Sequence, residues 1–363
     1  MPARVHQPVM SRPAPLHKTS ALDWIQLNLF SSPSSALCSL LVICALGWCV
    51  PRLLHWAVFN AVWQPNALAC RADGAGACWG VIAEKYRFIL FGRYPFEEQW
   101  RPLVATALMT ALLMASGIRA LWRPALGALW LLTFAAVFVL MHGNVFGLSL
   151  VETDRWGGLP LTILLASLSI VSAFPLAIAA ALGRRSNVPT LRAGCTVYIE
   201  LIRGVPLISV LFMASFMFPL LMPEGFSVNV LVRVLAGITL FAAAYMAEVI
   251  RGGLQALPRG QVEAAQALGL SWWQTQRGVV LPQAITLVVP ALVNNFISTF
   301  KDTSLVTIVS LYELTGAMSL ALNSDANWRP YKIEGYLFIA AVYFVFCFAM
   351  SRYSLWLERH LSR

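Results

Sequence analysis

Long apolar runs separated by short polar turns fill most of the chain. They extend approximately from Ala36 to Phe59, Leu103 to Leu121, Ala125 to Leu148, Leu159 to Leu182, Tyr198 to Leu221, Val230 to Ile250, Ala284 to Phe300 and Tyr336 to Trp356. A hydrocarbon core of roughly 30 Å takes about 20 apolar residues as a helix, so the pattern predicts about eight transmembrane helices. No run alternates like a barrel strand, and helices satisfy their own backbone groups in lipid. The expected fold is an all-α membrane protein. Pro51, Arg52 and His55 interrupt the first run, and the seventh is short and followed by Lys301-Asp302-Thr303-Ser304.

Composition agrees with that pattern: 59% hydrophobic residues, 12% charged residues and a mean hydropathy of +0.70 exceed what a soluble domain carries. The formal charge of +10 raises the question of nucleic acid, but the basic residues are scattered over short turns and form no stripe, so no nucleic-acid partner is expected. They fit the positive-inside rule. With the N-terminus inside, the cytoplasmic segments contain Arg4, Arg12 and Lys18, then Arg119 and Arg123, then Arg184, Arg185 and Arg192, then Arg251, Arg259 and Arg277, and lastly Arg352, Arg359 and Arg363. The outward stretch 60–101 also holds basic residues, but long loops translocate largely regardless of charge. Residues 1–35 read as a disordered cytoplasmic leader without the apolar stretch of a signal peptide.

Residues 36–152 form a part with three spans and the long outward loop. From Gly157 onward polar punctuation is dense, and residues 157–357 hold five spans. Cys70 and Cys78 share the outward loop, which faces an oxidising space; a small disulfide and two free thiols are the alternatives. The other cysteines sit singly in or beside apolar runs, and no residue set has metal-ligand spacing.

Glu200 and Arg203 are three residues apart, as are Glu248 and Arg251, which predicts two helix-end ion pairs. The segment 251–282 interrupts two spans with polar sequence. Pro258 and Gly260 break the preceding helix, Gln261 to Leu268 is helix-forming, Gly269 supplies a turn, and Ser271 suits an N-cap before Trp272. A helix, turn, helix along the membrane surface is expected, with Ala264, Ala265, Ala267 and Leu268 as a small apolar knob beside Glu263. An ordinary interfacial amphipathic segment is the alternative. Asn294, Asn295, Ser298, Lys301, Asp302, Thr303 and Ser304 form the polar set in which to seek a substrate pathway, against interhelical hydrogen bonding as the bland account.

Glu263-Ala264-Ala265, Gly269 and Leu281-Pro282 at these spacings resemble the EAA loop of binding-protein-dependent ABC importer permeases; Val279 replaces the isoleucine usual in that pattern. Glu200 to Pro206, Tyr245 to Gly253, Lys301 to Leu305 and Glu313-Leu314 are similar to the polar-amino-acid branch. Gly76-Ala77-Cys78-Trp79, Phe91 to Pro95 and Glu98 to Pro102 resemble the N-terminal extension of the M-type permease of general L-amino-acid importers.

The resemblance implies that the last five spans form a type I ABC importer permease core in the bacterial inner membrane. It also implies that Gly260, Glu263, Ala264, Ala265, Leu268, Gly269, Leu281 and Pro282 couple it to an ATPase. The implied partners are a Q-type permease, a homodimeric ATPase subunit that binds ATP and Mg, and a periplasmic amino-acid-binding protein, with an L-amino acid as substrate. No segment here has the form GxxxxGK[ST], so ATP hydrolysis falls to another subunit. An ion-gradient-driven secondary transporter predicts matching broken helices in two halves, and the two parts here differ. An intramembrane enzyme needs paired catalytic groups, which the spans lack.

Overall fold

Proline and glycine mark several of the points where an apolar run becomes a helix or changes direction. The computed structural model describes residues 20–361 apart from Glu224 and Phe226. Arg4, Arg12, Lys18, Arg363, most of the leader and the side chain of Arg119 lie outside the described residues. The chain divides into two compact units, residues up to Val62 with Arg71–Ala77, and Trp63–Cys70 with Cys78–Arg363.

In the first unit, α1 (Ala21–Leu29) precedes α2 (Pro33–Leu54). Ser32 caps α2 through its hydroxyl, which accepts from Ser35 N at 3.2 Å, and Pro33 needs no donor at the first position. Pro51 does not end this helix: it continues through a π-helical turn at His55–Phe59, giving an apolar span of 27 residues, Pro33–Phe59. Missing backbone donors are tolerated when the local turn widens to re-pair the carbonyls. Loop 71–77 folds back on this end, with Gly76 N donating to Asn60 O (2.7 Å) and Ala77 N to Trp56 O (2.8 Å).

The second unit begins with α3 (Gly80–Phe91), whose Glu84, Lys85 and Arg87 suit a surface helix, and whose Val81 and Ile89 are buried. Its neighbours are α4 (Trp100–Ser116), α5 (Pro124–His142) and α6 (Gly158–Arg184). After these come α7 (Pro189–Gly204), α8 (Leu207–Phe212) and α9 (Phe218–Leu220), with a π-helical turn between α8 and α9. Then follow α10 (Val230–Ala256), α11 (Arg259–Ala267), α12 (Trp272–Thr275), α13 (Leu281–Asp302), α14 (Leu314–Asn323) and α15 (Lys332–Leu361).

Six helices among the described residues are long and apolar enough to cross a membrane. The remaining two of the eight expected spans depart from straight crossings. The run Tyr198 to Leu221 is broken at Val205-Pro206, and its halves meet at 106°. Proline there lacks the donor that would continue α7 and instead sits at the N-cap of α8. Helix α4 has 17 residues and thus a length of roughly 25 Å, a little under the hydrocarbon thickness. The seventh run is longer than expected, an apolar helical stretch over Trp272–Val309.

Helices α6 and α10 pack through alanine. Ala173, Ala177 and Ala181 face Ala243 and Ala247 in a cluster that also takes Ile199 of α7 and Ala284 and Leu292 of α13. Small side chains let helices approach closely where lipid offers no hydrophobic drive to associate. A second cluster joins α4, α5 and α6 through Met109, Met141 and Ile163, with Phe300 of α13 and Tyr343 of α15 against it. Gly158 has φ +65°, and a Cβ there would collide with Leu90 O, so glycine is required where α6 starts against α3.

Candidate functional site: the interhelical segment and its ion network

Helix α10 leaves the alanine-packed core at Gly253, where a Cβ would stand 2.5 Å from Ala284 O, so α10 and α13 touch backbone to backbone at the point where the polar segment begins. Pro258 is extended (φ −60°, ψ 137°) and starts α11. Gly269 reverses the chain at φ +74°, a conformation glycine adopts without a Cβ penalty. Ser271 Oγ accepts from Gln274 N at 3.4 Å while Gln274 Oε1 accepts from Ser271 N at 2.8 Å, a capping box that opens α12. A π-helical turn at Gln276–Val280 leads into α13, with Pro282 in its first turn.

Glu263, Ala264, Ala267 and Leu268 are exposed, and Leu268 keeps 80% of its surface, as does Trp273 with 70%. Ala265 departs from the expected knob: it is 3% exposed and faces the body of the protein, and Leu270 N donates to its carbonyl at 3.2 Å. The helical period explains this, since residue 265 lies one step away from the face carrying 264, 267 and 268. Gly260 is exposed with open space around its α-carbon, Leu281 is half-buried against the core and Pro282 is exposed. Beside α11 lies a cleft of about 490 Å³ between the ends of α6 and α10, with Glu263 in its lining.

Just above the segment, the ion pairs differ from the spacing-based expectation. Glu248 and Arg251 do pair, through two bonds at 2.5 Å and 2.8 Å. Glu200 and Arg203 do not. Arg184, at the end of α6, takes Glu200 at 2.7 Å and Glu248 at 3.1 Å, and Arg203 lies 3.8 Å from Glu248 and 5.7 Å from the Tyr245 ring. The guanidinium from another helix reaches Glu200 at better geometry than its own third neighbour does. Arg185 donates to Leu254 O at 2.9 Å, adding a second link from α6 to α10.

The polar set near the end of α13 is unevenly exposed. Asn294 and Lys301 are exposed, while Asn295, Ser298, Asp302 and Ser304 are half-buried. Thr303 is fully buried and its hydroxyl donates to Phe300 O at 2.7 Å. Thr299 donates likewise to Asn295 O.

Glu313 was not marked as a site by spacing, yet it is the most enclosed carboxylate described, at 0% exposure. It accepts from Gly316 N (2.9 Å), Thr315 N (3.0 Å), Thr307 Oγ1 (3.1 Å) and Tyr343 Oη (2.8 Å), tying α14 to α15. Burial nevertheless pushes its carboxyl above the usual range. Its sequence signals are an acid directly before a helical run and its place in the Glu313-Leu314 resemblance.

On the other side of the second unit, Cys70 and Cys78 form a disulfide with Cα atoms 5.5 Å apart. Cys78 N donates to Glu334 Oε1 at 2.9 Å, and Lys85 pairs with Asp325 at 3.0 Å. Arg101, 1% exposed, donates to Leu140 O at 2.6 Å and Ser149 O at 3.0 Å and pairs with Glu98. Among the described residues no group of three metal-ligating side chains converges.

Residues 173–363 match the protein family described as binding-protein-dependent transport system inner membrane component. The chain is 45% identical to the inner membrane amino-acid ABC transporter permease protein YhdY of Escherichia coli, over 97% of this chain and 96% of that protein. It is 35% identical to the glutamate/glutamine/aspartate/asparagine transport system permease protein BztC of Rhodobacter capsulatus, again over 97% and 96%. A solved amino acid ABC transporter, crystallised with histidines, is similar at 30% identity and a TM-score of 0.50, over 56% of this chain and 92% of that one.

Proposed function

Because the chain belongs to the family of binding-protein-dependent transport system inner membrane components, we propose that it is the permease subunit that admits L-amino acids, driven by an ATPase docked on residues 251–282. It is a multi-pass inner-membrane transport subunit of an ABC importer, not an enzyme. The family works with a substrate-binding protein and an ATPase. The ion-gradient alternative finds no support among the relatives.

The observation that carries the docking assignment is the exposed end of α11. Glu263, Ala264 and Leu268 project from a short helix bounded by Pro258 and Gly269, while Gly253 holds α10 against α13 immediately behind it. Such a foot passes a push to two spans at once. In this reading the N-terminus and the foot are cytoplasmic, and ATP with Mg is bound by a homodimeric partner subunit. Closure of that subunit carries α11 and α12 as a rigid body and turns the permease from inward-facing to outward-facing. A periplasmic protein then delivers the amino acid, the substrate class that the names of the relatives give for them.

Residues 157–357 serve as the permease core and residues 36–152 as an extension, and a homologous Q-type permease completes the pathway as a heterodimer. Exposed Asn294 and Lys301, with Asn295 and Ser298 beside them, are the residues of α13 best placed to meet a substrate or that partner. Thr303, already satisfied, is withdrawn from the pathway.

The test is Glu263→Arg in the chain co-expressed with its neighbouring ATPase and permease genes. Membrane insertion stays intact, and co-purification of the ATPase and amino-acid-stimulated hydrolysis are lost. Unchanged association removes the docking assignment.

A further inference from the structure

The cleft beside α11 has an apolar and a basic lining that the docking reading does not use. Its walls come from three places: the end of α6, the end of α10 and the first turns of α11 and α12. Leu182, Leu254 and Leu257 give it an apolar lining, and the exposed Arg185 and Arg259 line it as well. Nearby, Arg184, Arg203 and Arg251 share Glu248, and Arg184 also takes Glu200. Arg185, whose one described hydrogen bond goes to the Leu254 carbonyl, and Arg259 have no carboxylate partner within salt-bridge distance among the described residues, although Glu263 lines the same cleft and follows Arg259 by one helical turn.

A soluble anion would use the arginines and leave the apolar lining wetted. An amphiphile uses both surfaces, and Trp272, exposed at 56% on the cleft wall, is a residue type favoured at the headgroup level. Charge and polarity select the same occupant, because anionic lipids of the cytoplasmic leaflet attract basic side chains near the surface.

We propose that this cleft holds an anionic phospholipid, with its phosphate between Arg185 and Arg259 and its upper acyl chain on Leu182, Leu254 and Leu257. The lipid bridges the end of α6 to α11 and so steadies the foot in one pose when the ATPase is absent. The assignment of leaflet rests on the cytoplasmic orientation given above; the lipid contact itself does not.

The experiment is photocrosslinking of the full chain in nanodiscs. Photoactivatable phosphatidylglycerol is compared with photoactivatable phosphatidylcholine, and labelled peptides are mapped. Phosphatidylglycerol should label residues 182–187 and 254–263 preferentially. Replacing both arginines (Arg185→Gln with Arg259→Gln) should weaken that preference by roughly 25-fold, about fivefold per basic residue. The Arg259→Gln variant alone changes only an exposed side chain without a described hydrogen bond, so it reports the loss even if the double variant folds poorly. Lysine at both positions should keep the preference. Equal labelling by the two lipids, or labelling unchanged in Arg259→Gln, overturns the proposal. So does displacement by inorganic phosphate, which marks a soluble-anion site. Disappearance of labelling in the assembled transporter at every stage of the ATP cycle would assign the cleft to the ATPase instead. Nanodiscs expose both faces, so orientation is read separately by labelling Asn187→Cys in sealed inside-out vesicles; failure there removes the docking reading and leaves the lipid result standing.

Discussion

Arg184 reaches Glu248 at 3.1 Å with one nitrogen and Glu200 at 2.7 Å with the other, so a single guanidinium joins α6, α7 and α10. Their side chains keep about a quarter to a half of their surface, which limits the gain to the range of surface ion pairs, about 1 kcal/mol. Arg184→Gln should lower the apparent Tm of the purified chain by a few degrees at most. Pairing it with Glu248→Gln should give a non-additive double-mutant cycle, since the two share a bond. Strict additivity would show that the three helices are held independently.

Glu313 presents a sharper contrast. Glu313→Ala strands the amides of Thr315 and Gly316 and the hydroxyls of Thr307 and Tyr343 in a buried site, and each orphaned group costs about 1–3 kcal/mol. Glu313→Gln keeps one acceptor oxygen and lets the hydroxyls rotate. The expected order of thermal stability is wild type, then Gln, then Ala. If Ala and Gln melted together, the carboxylate would not be the tie between α14 and α15.

The pH dependence of Glu313 and Glu98 should run in opposite directions. Burial raises the Glu313 carboxyl in the folded chain, so the folded state binds a proton that the unfolded state has released, and stability declines as pH rises from about 4 through the raised value. Glu98 is lowered, first by its hydrogen bond from Ser149 and then by Arg101. Its contribution is present above the ordinary carboxylate range near pH 4 and is lost as pH falls through the lowered value. Melting curves across pH should lose the acid-side decline in Glu98→Gln and the rise-linked decline in Glu313→Gln. A slope that survives its own substitution belongs to another group.

Two glycine substitutions separate conformational need from mere presence. Gly158→Ala combines a left-handed backbone with a collision against Leu90 O and should prevent recovery of a monodisperse chain from detergent. Gly194→Ala lies inside α7 with nothing within 4 Å of the new carbon, and should be neutral or stabilising by about 0.5–1 kcal/mol. Size-exclusion profiles and melting of the two variants decide it. Equal behaviour would mean that α3 and α6 do not meet as described.

Most spans were legible because apolar length alone reports them, as for Leu159 to Leu182 and Val230 to Ile250. Local chemistry was legible for the same reason: Ser271 capping α12 and Gly269 reversing the chain depend on neighbours within a few residues. What escaped notice was long-range. Spacing put Glu200 with Arg203, but the partner came from α6, 16 residues earlier in sequence and adjacent only after folding. The knob reading grouped Ala265 with its neighbours, but which face of α11 turns inward depends on α12 and the π-helical turn at Gln276–Val280 packed against it. The break at Pro206 was written in the sequence as a proline, but its 106° angle was not.

The bond between Cys70 and Cys78 carries a consequence for biogenesis. A thiol pair of this kind oxidises outside the reducing cytosol. In the proposed orientation, bond formation therefore follows export of the loop, and a cell deprived of its thiol-oxidising machinery would accumulate a chain that is inserted but unfinished.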